Sequence, residues 1–215
     1  MKKTLLLILS ALTLSFSAQA AVHTCTPAAN SLSWCLTQAD TLVLTDGVYE
    51  EAYTIKFEKP GILLKAAEGA KPVIALTGAW TTIELLASTT FDGITFDGTG
   101  VCYYPISAFG SDAGTYTFKN CEFTGWMYWA ISNHYESNTH VDNVLVENCL
   151  FHDAAGSAIY FNDDAPTGEH ACANFEMKNS TLYNLVEDEY VGVIHVSSRS
   201  EATGEQNKVV IDHIT

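Results

Sequence analysis

Short alternating runs of apolar and polar residues recur along this chain, and their spacing predicts the architecture. "FKNCEF" (Phe118–Phe123) and "VENCLF" (Val146–Phe151) share one pattern: apolar first, fourth and sixth residues, a charged second residue and Asn third. "FDGITF" (Phe91–Phe96), "MKNSTL" (Met177–Leu182) and "IDHIT" (Ile211–Thr215) follow it with substitutions. The runs start at 91, 118, 146, 177 and 211, so they lie 27, 28, 31 and 34 residues apart. Self-similarity at this period marks stacked repeats, each too small to bury its own apolar face. A β-sandwich has no reason to repeat one corner residue at such intervals.

Inside each run the alternation has period two, which is the signature of short strands with one buried face. The alternation changes register at the third residue: Gly93, Asn120, Asn148, Asn179 and His213. Gly and Asn tolerate the left-handed backbone of a tight corner, and stacked Asn side chains can bond to one another up a ladder. Each unit therefore reads as strand, corner, strand, loop, strand. Stacked at about 4.8 Å, every strand pairs with its copies above and below. The predicted fold is all-β, a parallel β-helix.

Residues 21–40 read differently. Leu32, Cys35, Leu36 and Ala39 follow helical spacing, which predicts a short helix capping the open end of the coil, with coils over 41–215. Cys25 and Cys35 bracket its start and are the best disulfide pair. Cys121 and Cys149 share one slot in adjacent coils and are expected as buried thiols. Cys102 and Cys172 fall in predicted loops with their pairing open. No CxxC or Cys/His spacing suggests zinc. The last residues, "VVIDHIT", lie inside the repeated strand pair, so further coils are expected beyond Thr215, because an uncapped coil exposes strand edges and core.

Composition then narrows the setting. "MKK", the apolar "TLLLILSALTL" and "AQA" before Ala21 form a secretory leader over residues 1–20. The apolar run is too short to span a membrane comfortably, so a secreted, periplasmic or extracellular protein is expected, without membrane insertion and as a monomer. Ten basic and 25 acidic residues give −15, and loss of Lys2 and Lys3 with the leader deepens this to about −17. Such a surface excludes nucleic acid as a natural partner. A polyuronate would need a local cationic patch or bound metal.

The Asn corner between short apolar strands resembles the right-handed β-helices of the pectin-lyase-like superfamily. "VLTDGVYEEAYTIKFEKPGILLKAAEGAKPVI" (Val43–Ile74) is similar to the opening coils of secreted members. The resemblance covers residues 41–215. It implies a polysaccharide partner and a substrate groove along the sheet that follows the corner pair.

The copies of that strand read "PISAF", "WAISNH", "SAIYFNDD" and "GVIHVSSR". With Ile131, Ile159 and Ile194 inward, Ser132, Tyr160 and His195 form one outward column. The following loops add His134, Asp163, Asp164 and Arg199, the chain's single Arg. For β-elimination on a uronic-acid glycan, His195 or Tyr160 is the candidate base. Arg199, or Ca²⁺ held by Asp163 and Asp164, would neutralise the carboxylate. Ser132 and His134 would bind substrate. No Lys lies on this face, which departs from the lyases resembled. Hydrolysis by paired carboxylates has Asp163, Asp164, Glu187, Asp188 and Glu189 to draw on, without a motif joining them. "GWMYW" (Gly125–Trp129) is expected as a loop whose Trp126, Tyr128 and Trp129 stack on sugar rings, with Tyr103 and Tyr104 one coil earlier. The same rings suit a lid over the core equally well, and binding without catalysis is the rival function.

Overall fold

The computed structural model describes residues 21–108, 114–133, 141–162, 172–186, 192–197 and 208–215. The chain winds as a right-handed parallel β-helix with three sheets. The first holds Val22–Cys25, Thr41–Leu44, Ile62–Ala66, Thr89–Asp92, Thr115–Lys119, Val141–Glu147, Cys172–Lys178 and Lys208–Asp212. The second holds Gly47–Glu51, Pro72–Leu76, Thr95–Asp97, Glu122–Thr124, Leu150–Ala154 and Thr181–Leu185. The third holds Ile55–Phe57, Ile83–Leu85, Ile106–Ala108, Trp129–Ser132, Ser157–Phe161 and Ile194–Val196.

Strand pairing places each residue on its counterpart in the next coil, so columns of like residues build the core. Phe91 and Phe118 stack with centroids 5.3 Å apart. Phe96, Phe123 and Phe151 continue this in the second sheet at 4.9 and 4.6 Å. Six isoleucines, Ile55, Ile83, Ile106, Ile131, Ile159 and Ile194, form one column of the third sheet. Full burial of each such side chain contributes roughly 1.5–3 kcal/mol.

The corners behave as the repeat predicts. Asn120, Asn148, Asn179 and His213 have φ between 49° and 54°, and Gly93 has 73°. The Asn148 side-chain amide donates to Asn120 Oδ1 at 2.5 Å, and that of Asn120 to Asp92 Oδ1 at 2.7 Å. One residue before the corner runs an alternating charge ladder: Lys65, Asp92, Lys119, Glu147, Lys178 and Asp212. Opposite charges face each other at every step, with Lys119 Nζ 3.5 Å from Glu147 Oε2. A slip by one coil would set like on like, so the ladder favours the observed register.

The cap helix spans Leu32–Cys35, with Leu32 and Cys35 buried. Buried Glu51 accepts the Leu32 amide at 3.0 Å, satisfying a helix-start donor. The Cys25–Cys35 disulfide is present, Cα atoms 6.3 Å apart. A strand precedes the helix: Val22–Cys25 pairs parallel to Thr41–Leu44, so the coil begins before the cap. Cys172 starts a strand instead of lying in a loop, and Cys102, Cys121, Cys149 and Cys172 are free and buried. Among the described residues no helix is long and apolar enough to cross a membrane. The predicted leader lies outside the described residues.

The corner geometry has a direct test. Both Asn148→Gly and Asn148→Ala lose the ladder bond, but only Ala carries a Cβ in the left-handed region. Ala is expected to be less stable than Gly by about 1 kcal/mol in denaturant unfolding, the reverse of the usual strand order; Ala equal to or above Gly would contradict the account.

Candidate functional site

The outer face of the third sheet carries the column that the repeat predicts. Strand register gives Lys56, Glu84, Ser107, Ser132, Tyr160 and His195, one from each successive coil. The inward neighbours Ile159 and Phe161 belong to the core, which turns Tyr160 outward. Tyr160 and His195 lie ring over ring, centroids 5.0 Å apart and planes 18° from parallel. Lys56 at the other end corrects the expectation of a face without Lys, because the strand that carries it lies two coils before the quoted copies; its Nζ bonds Glu84 Oε2 at 2.9 Å.

Ser132 holds its outward slot but is fully buried, and its Oγ has no hydrogen-bond partner among the described residues. The hydroxyl, on a short side chain, does not reach solvent. His134, Asp163, Asp164 and Arg199 lie outside the described residues, as do Glu187, Asp188 and Glu189. Asn133, Asn162 and Ser197 are the last described residues before His134, the Asp163–Asp164 pair and Arg199. Asn133 donates to the Asn162 carbonyl at 2.7 Å and accepts the Asn162 amide at 3.1 Å. Ser197 Oγ lies 3.3 Å from Asn162 Oδ1. This second polar ladder closes the end of the sheet, and the sequence reading had not singled it out.

The aromatic run divides, and the expectation of a sugar-stacking loop is corrected for Trp126. Gly125 turns the chain at φ 69°, sending the Trp126 ring into the core, 0 % exposed. Its indole N–H donates to the Ser157 carbonyl at 2.9 Å. A buried and satisfied indole is a core element. Trp129 lies in a strand instead of a loop and is nearly buried, its ring 3.9 Å from that of Tyr160 and close to parallel. With Tyr104 and Tyr160 it forms an apolar cluster separate from the core, against which Tyr103 packs. Trp80 stands 6.1 Å from Tyr104, and Tyr104 stands 5.1 Å from Trp129. A row of rings, Trp80, Tyr104, Trp129, Tyr160 and His195, thus runs along the face. Trp80 is its exposed end, at 68 %, and Tyr128, 50 % exposed, flanks the row with its ring 5.8 Å from that of Tyr104.

Beside Trp80 opens a cleft of about 140 Å³ lined by Thr54, Thr82, Glu84, Tyr104 and Ser107. Thr82 and Ser107 share a hydroxyl–hydroxyl bond of 2.9 Å in its wall. A larger cleft, about 430 Å³, lies between the cap helix and the first coils, lined by Leu36, Thr37, Lys56 and Lys59. It sits at the far end of the third sheet from Tyr160 and His195.

Two further clusters arise from stacking. His152 Nδ1 lies 2.7 Å from Asp153 Oδ2, and Nε2 lies 2.9 Å from Glu122 Oε1. Tyr183 stacks on the ring at 5.0 Å. Burial disfavours the charged imidazole, but the bonds to Asp153 and Glu122 outweigh it and raise the His152 pKa. These groups come from three coils of the second sheet, so no local pattern announced them. His23, Cys25 and Cys35 place ligand atoms within 4.8 Å of one another. That grouping was missed because His23 and Cys25 flank one residue on the strand before the helix. With both sulfurs joined in the disulfide, His23 is its single available ligand.

No protein-family profile and no curated protein matches the chain. Solved structures do. The PL6-family alginate lyase AlyGC is 17 % identical over 89 % of this chain and 28 % of its own, with a TM-score of 0.68. An arginine-to-alanine variant of that lyase gives 18 %, 78 %, 25 % and 0.65. The fold is a right-handed parallel β-helix like that of this PL6 alginate lyase. The chain spans just over a quarter of the lyase it resembles, and at this identity the likeness concerns the fold.

The His152 clamp predicts a pH dependence of stability. A His whose folded pKa is raised contributes stability that is fully present below the unfolded pKa, about 6.5. That contribution is lost as pH rises through the folded value. Between pH 6 and 9 the thermal midpoint of the protein is expected to fall more than that of His152→Gln. Parallel profiles would show that the clamp holds no proton.

Proposed function

We propose that this chain is the glycan-contacting part of an exported, carbohydrate-active β-helix protein of polysaccharide-lyase type. The observation that carries this reading is the row of rings along the third sheet, which ends on the stacked Tyr160 and His195 pair. Pyranose rings present apolar C–H faces, and successive stacked aromatics are suited to them because ring contact tolerates sliding along a polymer. The relation to alginate lyases supports a polysaccharide as the partner.

In the β-elimination reading, His195 or Tyr160 removes the C5 proton of a uronic acid unit. The C4–O bond then breaks, and the leaving oxygen takes up a proton. The carboxylate needs neutralisation as negative charge develops on it. Arg199, or Ca²⁺ held by Asp163 and Asp164, remains the proposed source, with His134 beside them on the substrate. Binding without catalysis is favoured by one observation. Among the described residues of the third sheet, the Lys on the outer column is Lys56, four register steps from Tyr160 and paired with Glu84.

The mature protein should be incubated with polyuronates and neutral cell-wall glycans, with and without Ca²⁺, while ultraviolet absorbance of unsaturated ends and new reducing ends are followed. Unsaturated ends are expected from a uronate-containing glycan. His195→Ala or Tyr160→Phe, whichever removes the base, should lower kcat/KM by about 100-fold or more. Turnover unchanged in both variants and in Arg199→Ala would remove the assignment. Glycan binding with neither product would establish the non-catalytic reading.

A further inference from the structure

We infer that the cleft beside Trp80 is a subsite for an uncharged sugar, so that the glycan on this face is a heteropolysaccharide carrying neutral units and not a pure polyuronate. The inference rests on the reading of the third-sheet face as a glycan surface and adds the class of sugar at one end. Trp80 is 68 % exposed at the rim, held edge-on against Tyr103 at 4.9 Å and beside Tyr104 at 6.1 Å. It presents a flat apolar surface whose orientation is fixed by its neighbours. A cleft of about 140 Å³ adjoins it. That is well below the ~300 Å³ from which small-molecule pockets are usually built, so it receives one ring at most while the rest of the polymer lies on the open sheet.

The polar lining decides the charge. Thr54 and Thr82 offer hydroxyls, Ser107 backs Thr82 from a buried position at 2.9 Å, and Glu84 offers a carboxylate whose side chain is 20 % exposed. The nearby cation, Lys56, is already bound to Glu84 at 2.9 Å. Among the described residues the pair leaves no net positive charge in the cleft to attract a uronate, and the Glu84 oxygens would face its carboxylate at short range. Sugar hydroxyls, in contrast, donate well to a carboxylate and exchange bonds with Thr hydroxyls. A ring placed on Trp80 with its hydroxyls toward Glu84 uses both surfaces. Glu84 lies four register steps from His195, about 19 Å along the stack at roughly 4.8 Å per coil. This subsite therefore selects substrate at a distance from Tyr160 and His195.

Binding of three probes to the mature protein by calorimetry tests this: neutral hexaoses of the cellulose, mannan and xylan types, an oligouronate, and a mixed oligosaccharide of alternating uronate and neutral sugar. The mixed or neutral probe is expected to bind more tightly than the oligouronate. Trp80→Ala, at an exposed position, should weaken it at least tenfold without changing the thermal midpoint. Glu84→Gln should weaken the neutral probe and narrow the gap to the oligouronate. If the oligouronate binds best, or Trp80→Ala leaves neutral binding intact while Tyr128→Ala abolishes it, the subsite is overturned and the glycan face survives. If no probe binds, both readings fall.

Discussion

Everything in this molecule depends on one constraint: parallel strand pairing that sets each residue directly on its counterpart in the next coil. The backbone bonds supply the repeat distance, but they do not choose the register. Side chains choose it. Phe rings stack on Phe rings, six isoleucines share a column, and the Lys and acidic residues before the corner alternate in sign. A slip by one residue would break all three agreements together, which is the consistency across levels that selects one structure. The left-handed Asn corners make the stacking possible by turning the chain within one residue.

The same constraint organises chemistry. A side chain on the outside of one coil acquires neighbours from the coils above and below, roughly 4.8 Å away. Residues a full coil apart in sequence thereby become contacts, as with Tyr160 and His195 or Glu122 and His152. The two arrangements differ in consequence. In the His152 clamp both ring nitrogens are engaged by carboxylates, so the group stabilises three coils and has no nitrogen left for a substrate. In the third-sheet row the ring faces are shared along the column and exposed members remain at the rim, which suits a surface for an extended polymer.

Columns were legible in the sequence wherever the period was regular. The corner residues announced themselves because φ near 50° restricts the choice to Asn, Gly and few others. Ser132, Tyr160 and His195 were placed correctly because counting by coils fixes register. Counting does not give depth, so the burial of Ser132 was not foreseen. Trp126 and Trp129 were expected in one loop, either stacking on sugar or covering the core, whereas "GWMYW" mixes two environments. The turn at Gly125 sends the first ring inward, while Trp129 joins the next strand. Gly156 reports the same packing, since a Cβ there would collide with the Tyr128 carbonyl. Clusters drawn from three coils, such as that around His152, have no signature within any single repeat.

Hydroxyl-radical footprinting of the protein with a bound glycan tests the proposed glycan surface on the third-sheet row, because exposed aromatics report contact individually. The account predicts protection of Trp80 and Tyr128, with Trp34 and Tyr183, also exposed but on the cap helix and the second sheet, unchanged. Protection of Trp34 or Tyr183 with Trp80 and Tyr128 unaffected would place the glycan elsewhere and contradict it.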